Sequence, residues 1–217
     1  DAAHELRTPL TALQPQVPLT ERAGSPEERR AALAELRQGL IRASHVVQQL
    51  LTLARQEPSA TPRPAPVTVA LADLAARAAA DHASLAAARD IDLGVADADA
   101  EARVTGDAAA LATLAANLVD NAIRYTPGGG RVDLTVGVEG GAAWLEVADS
   151  GPGIPEAERG RVFDRFYRRH DTPEPGSGLG LAIVQAIADR HGACITLGDS
   201  PLGGLSARVS FPPAADS

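Results

Sequence analysis

Apolar residues recur along this chain with two different periods, and the change between them divides it into regions. From Leu33 onward the period is seven: Leu33, Leu40, Val47 and Ala54 interleave with Leu36, Ala43 and Leu50. That is the a/d seam of a helix packed in a bundle. Ser25-Pro26-Glu27-Glu28 supplies this helix with an N-cap, a proline at the first helical position and a capping-box glutamate. Upstream, Leu6, Leu10, Leu13 and Val17 follow a spacing compatible with the same seam, which predicts an antiparallel helical hairpin over 1–57. Two helices cannot bury such stripes completely, so a four-helix bundle made by a dimer is the natural solution; contact with the rest of the chain is the alternative.

Residues 58–66, Pro58-Ser59-Ala60-Thr61-Pro62-Arg63-Pro64-Ala65-Pro66, are too proline-rich for helix or central strand and read as an extended linker. Beyond it, 67–217 forms a second domain in which alternating runs mix with helical ones. Strands are predicted at 67–69, 91–95, 102–105, 131–138, 142–148, 193–198 and 204–211, with helices at 71–89, 107–125 and 179–191. The order implies an α+β chain: a helical hairpin, then a two-layer α/β sandwich whose mixed sheet is covered on one face by helices.

Composition sharpens the picture. The 217 residues are 45% hydrophobic and 22% charged, as in a globular protein with a real core, but only 3% aromatic, so that core must be aliphatic. A net charge of −8 argues against non-specific nucleic-acid binding. It also requires any polyphosphate site to gather local arginines, metal and backbone N–H groups. Cys194 is the single cysteine, which excludes an intrachain disulfide and fits a reducing compartment. No apolar run approaches the roughly 20 residues that span a bilayer. The chain opens inside a predicted helix and contains no Met, so we expect a fragment with an upstream region.

Several short blocks carry chemistry. In Asp1-Ala2-Ala3-His4-Glu5-Leu6-Arg7-Thr8-Pro9-Leu10, a neutral imidazole is a competent nucleophile near neutral pH. Glu5 can hold one ring nitrogen while the other attacks, and Thr8, four residues on, shares the helix face of His4. At the end of the helix 107–125, Asn117 and Asn121 lie on one face with Arg124 one turn further. Two neutral oxygen donors beside a cation suit magnesium bridging phosphates, although paired asparagines are usually surface residues. Asp149-Ser150-Gly151-Pro152-Gly153 follows a strand, where a carboxylate can accept from the exocyclic amine of adenine and repel the carbonyl of guanine; such a string alone is most often a turn. Phe163 and Phe166 are two of three Phe, and ordinary core packing accounts for them equally well. Gly176-Ser177-Gly178-Leu179-Gly180 precedes a helix whose N-terminus can present N–H groups to an anion. A dinucleotide fingerprint would need a strand immediately upstream, and Asp171-Thr172-Pro173-Glu174-Pro175 is not one. Of the other histidines, His45, His82 and His170 read as structural or exposed. His191 ends a helix, where a partial positive charge is favourable.

Taken in order, these blocks resemble those of bacterial sensor histidine kinases over nearly the whole chain. HELRTPL resembles the H box, NLVDNAIRYTP the N box, DSGPG the first glycine box, VFDRFYR the F box, and GSGLG the second glycine box. Gly203-Gly204 is a weaker match to the last glycine pair. The resemblance implies a HisKA-type phosphotransfer hairpin followed by a Bergerat-type ATP-binding domain. His4, Glu5 and Thr8 would be the catalytic group. ATP would be held by Asn117, Asn121, Arg124, Tyr125, Asp149, Gly151, Gly153, Phe163, Phe166, Arg168, Gly176, Gly178, Leu179 and Gly180. Magnesium would sit on Asn121, assisted by Asn117. Arg124 stands where the family usually has Lys, exchanging a point donor for a planar fork.

The resemblance further implies autophosphorylation of His4 and transfer to an aspartate of a response regulator receiver domain. It implies phosphatase activity toward that regulator, a homodimer through the hairpin, no nucleic acid, and a cytoplasmic location below an upstream membrane anchor. A clamp-type ATPase and an ATP-binding regulatory module without phosphotransfer are the rival readings. One departure stands out. Pro15 and Pro18 fall where the family continues its first helix, and each interior proline can cost roughly 3 kcal/mol, so a kink near Gln14 is predicted.

Overall fold

A computed structural model describes residues 24–56, 65–168 and 177–213. The chain divides into two compact units, 1–58 and 59–217. In the first, α1 (Pro26–Gln56) begins as its caps require. The amide of Glu28 donates to Ser25 Oγ at 3.1 Å, and Glu28 Oε2 accepts from the amides of Gly24 at 2.8 Å and Ser25 at 3.3 Å. The seam along α1 splits by burial. Ala43 is buried and Leu36 and Leu50 are half-buried, whereas Leu33, Leu40, Val47 and Leu51 are 48%, 59%, 41% and 53% exposed. The predicted first helix and the kink near Gln14 lie outside the described residues, as does most of the linker.

The second unit holds β1 (Val67–Ala70), α2 (Leu71–Ala88), β2 (Asp92–Ala98), β3 (Arg103–Gly106) and α3 (Ala108–Tyr125). These are followed by β4 (Arg131–Glu139), β5 (Ala142–Asp149), a single turn α4 (Glu156–Arg159), α5 (Gly180–Arg190), β6 (Cys194–Asp199) and β7 (Leu205–Ser210). β1 and β3 form a small antiparallel ribbon, and the main sheet runs β2-β4-β5-β7-β6. Among the described residues only the β2–β4 pair is parallel, and its register slips by one residue between Val95 and Asp97. The mixed sheet matches the sequence expectation, and every predicted strand and helix of this unit appears within a few residues of its expected bounds. α4 was not anticipated: no side chain caps it.

Alternation decides which sheet face is covered. Val132, Leu134 and Val136 of β4, Leu145 and Val147 of β5, and Ala207 and Val209 of β7 are buried. They meet in register, with Leu145 between Val136 and Val209. α2, α3 and α5 pack together and onto the sheet. α3 buries Leu111, Leu114, Ala115, Leu118, Val119, Ala122 and Ile123 at helical spacing, and Asp107 Oδ1 caps it by accepting from the amides of Ala109 and Ala110. Among the described residues the core is aliphatic apart from Phe211, as the scarcity of aromatics demands. On the other face Trp144 lies over Gly137, where a Cβ would approach Cζ2 to 2.5 Å, and the Arg208 guanidinium sits 4.0 Å from the Trp144 ring centroid. Gly140 and Gly141, at φ +58° and +82°, form the two-residue turn between β4 and β5, a conformation open to glycine at both positions.

Candidate functional site

Asp149 closes β5 at the end where α3 finishes and β7 starts. It is 6% exposed. Its Oδ1 accepts from the amide of Gly151 at 2.8 Å and from that of Leu205 at 3.0 Å. Its backbone carbonyl accepts from the amide of Gly204 at 3.1 Å. No described residue donates to Oδ2. Burial pushes the Asp149 carboxyl above its ordinary value, opposed by the amides of Leu205 and Gly151. A buried carboxylate with one oxygen saturated and the other bare is a receptor for a single N–H donor.

The glycines around it are places where backbone must pass close. A Cβ on Gly151 would stand 2.8 Å from the carbonyl oxygen of Tyr125, and one on Gly204 would collide with Asp149 Oδ1 and crowd Gly151 N at 2.5 Å. Gly153 adopts φ +67° and faces Gly204 O. Gly204 of the last glycine pair, weakly marked in the sequence, is therefore part of the wall of the Asp149 site. Leu205 contributes only its amide. No residue-type pattern announces a backbone donor, and the contact spans strands far apart in the chain.

On α3, Asn117 donates through Nδ2 to Thr113 O at 2.8 Å, which leaves its Oδ1 as a lone acceptor. The half-buried Asn121 amide has no described partner and lies against Gly180, where a Cβ would stand 2.9 Å from Oδ1. Among the described residues no group of three or more His, Cys, Asp or Glu could hold a metal. A pair of amide oxygens nonetheless suits magnesium, which retains waters and phosphate oxygens instead of filling a protein cage. Arg124 is paired with Asp120 at 2.7 Å, an i,i+4 contact legible in the sequence but not anticipated.

The two sides of the segment 169–176 meet. Phe166, at φ +66°, donates its amide to Gly178 O at 2.9 Å; Gly178, at φ +68°, leaves no space for a Cβ against Phe166 and Tyr167. Ser177 Oγ accepts from the amide of Leu179, whose side chain is fully buried at the start of α5. The structure thus brings together Asp149, Gly151 and Gly153 with Tyr125, and Asn121 with Gly180, and it joins Phe166 to Gly178. Phe163 is half-buried and Arg168 exposed nearby in sequence. His4, Glu5, Thr8 and Gly176 lie outside the described residues. His191, read as structural at its helix end, is held there: its Nε2 lies 3.1 Å from the amide of Asp107 and its Nδ1 2.7 Å from Ile187 O.

Comparisons with known proteins place the chain in a family. The sequence profile described as the histidine kinase-, DNA gyrase B- and HSP90-like ATPase matches residues 106–215, and that of the His Kinase A (phospho-acceptor) domain matches 1–59. The chain is 38% identical over 212 residues to the sensor protein QseC of Escherichia coli K12, covering 97% of this chain and 46% of that one. It is 38% identical over 220 residues to the signal transduction histidine-protein kinase/phosphatase MprB of a Mycobacterium species, covering 97% of this chain and 41% of that one. It spans less than half the length of either. Among solved structures, full-length ShkA in complex with AMPPNP superposes with a TM-score of 0.73 at 27% identity, covering 99% of this chain and 45% of that one.

Proposed function

The chain belongs to the sensor histidine kinase family, and on that premise we propose that it moves the γ-phosphoryl group of ATP onto His4 and then to an aspartate of a response regulator receiver domain. The observation that carries the ATP half is Asp149. Its bare Oδ2 accepts from the exocyclic amine of adenine, while the amides of Gly151 and Leu205 hold the carboxylate in place. The dipole of α5 favours phosphate at the glycine-rich N-terminus, where Gly180 abuts Asn121. Asn121 and Asn117 would hold magnesium, which when bound neutralises charge between the phosphates. Arg124 and Arg168 add positive charge.

In the transfer, the free imidazole nitrogen of His4 attacks in line. The N–P bond forms as the bond from γ-phosphorus to the ADP oxygen breaks, with Glu5 orienting or deprotonating the ring. Thr8 positions water when the regulator is dephosphorylated. The exposed row Leu33, Leu40, Val47 and Leu51 supports a homodimer through the hairpin. Among the described residues no helix is long and apolar enough to cross a membrane. We assign membrane attachment to an upstream region and both units to the cytoplasmic side.

Incubation with γ-labelled ATP tests the assignment. Label on the protein should be acid-labile, base-stable and absent from His4→Ala. Absence of label from the wild type, or its persistence in the variant, would sink it. Release of inorganic phosphate without protein label would favour the clamp-type reading.

A further inference from the structure

At the end of the α3–α5 pair remote from Asn121, three side chains form a closed set of polar contacts. Asp107 Oδ1 caps α3, and its Oδ2 receives Arg190 Nη2 at 3.2 Å, with the two side chains only 15% and 17% exposed. The amide of Asp107 donates to His191 Nε2 at 3.1 Å, and His191 Nδ1 donates to Ile187 O at 2.7 Å. Both ring nitrogens and both carboxylate oxygens are therefore engaged. The ring also presses on Gly106, where a Cβ would stand 2.6 Å from Nε2. Nothing in the chemistry of phosphoryl transfer requires such a set here.

Its location suggests a purpose. α3 and α5 touch at both ends: Gly106 and Asp107 meet Arg190 and His191 at one, and Asn121 meets Gly180 at the other. Along their length the two packed helices bury aliphatic side chains, Leu114 and Leu118 on α3 and Ile183 and Ile187 on α5, while the hydrogen bonds of the clasp add directional contacts at one end. A slip of one residue moves a helix by about 1.5 Å, and an error of about 1 Å in a reacting group can cost roughly a hundredfold.

We propose that Asp107, Arg190 and His191 are positioning residues that fix the axial register of α5 on α3, and so the distance between the glycine-rich N-terminus, about 16 Å from the clasp along α5, and Asn121, about 21 Å from it along α3. This rests on the nucleotide reading given above. It predicts a specific asymmetry: loosening the clasp impairs the phosphate end of the site and spares the Asp149 end, which belongs to β5 and β7.

Calorimetric titration of the 217-residue chain with magnesium-ATP and, separately, with adenosine reads both ends. His191→Asn keeps a donor for Ile187 but has no atom at the Nε2 position. It should weaken magnesium-ATP about tenfold and change adenosine less than twofold. His191→Gln, whose amide oxygen reaches that position, should restore ATP affinity. Arg190→Gln keeps the histidine bond and gives a milder loss of the same kind, which serves if the first variant does not fold. Unchanged ATP affinity in folded His191→Asn would overturn the proposal, as would parallel loss of ATP and adenosine. A wild-type chain that binds neither ligand would overturn the nucleotide reading and the clasp's role with it.

Discussion

Replacing Gly204 by Ala should damage the Asp149 site through backbone alone. A Cβ there meets Asp149 Oδ1, the Asp149 carbonyl at 2.5 Å and the Gly151 amide nitrogen at 2.5 Å. None is the loose end of a flexible side chain, because the carboxylate is itself held by two amides. Relief needs a shift of nearly 1 Å in β7, which breaks the bond from Leu205 N to the carboxylate and that from Gly204 N to Asp149 O. A hydrogen bond to a charged group is worth about 1.5–3 kcal/mol and a neutral one about 0.5–1.5, so the loss is about 2–4 kcal/mol. Two neighbours calibrate it. Gly198→Ala meets nothing within 4 Å and should be close to neutral; Gly203→Ala also meets nothing but sits at φ +98° and should cost about 1–3 kcal/mol of backbone strain. Trp144, the only tryptophan, lies on β5 and reports this unit alone during urea unfolding. ADP affinity should fall with Gly204→Ala and hold with Gly198→Ala. If Gly204→Ala unfolds at the same urea concentration as Gly198→Ala, the steric reasoning is wrong.

Asp149→Asn keeps an oxygen for the two amides and turns the free oxygen into a donor, so ADP affinity should fall roughly tenfold to a hundredfold with the fold intact; titration calorimetry checks it. The same variant carries a pH signature. Between the ordinary carboxylate value and its raised value in the fold, the native state binds more protons than the unfolded chain, so Asp149 lowers stability as pH rises through that window. The stability of the Asn variant relative to wild type should therefore climb across the window and level off above it. Urea midpoints that keep a constant difference would contradict this. Leu40→Glu, at the most exposed point of the α1 stripe, should convert a dimer to a monomer in light scattering while Trp144 unfolding stays unchanged; a variant that remains dimeric would refute the seam.

How much of this was legible from residues alone depended on whether the information was local. The helical period of α1, the Ser25–Glu28 cap and the alternation in β4 and β5 are short-range patterns, and the helix, its cap and the alternation reappear in space. The blocks around Asn121, Asp149 and Gly178 stood out because residue type and spacing are local, and the structure places Asn121 beside Gly180 and Asp149 beside Gly151. What escaped was supplied by backbone or by distant strands. Leu205 serves through its amide and Gly204 through the absence of a side chain, both against Asp149 across the sheet. His191 was read as structural at a helix end, but its partner, the Asp107 amide, is remote in sequence and left no local signal. α4 is one turn with no capping side chain, too short for any period to register.

The hydrogen bond from Phe166 to Gly178 also bears on how much chain can lie between them. It ties off the intervening stretch at its base, so the chain enters and leaves the sandwich through a single fixed gate. Enlarging a stretch closed in this way is cheap: doubling its length adds only about 0.6 kcal/mol of closure entropy. Phe166 and Gly178 both hold left-handed backbone, so chain inserted between them adds little closure cost for as long as this hydrogen bond persists.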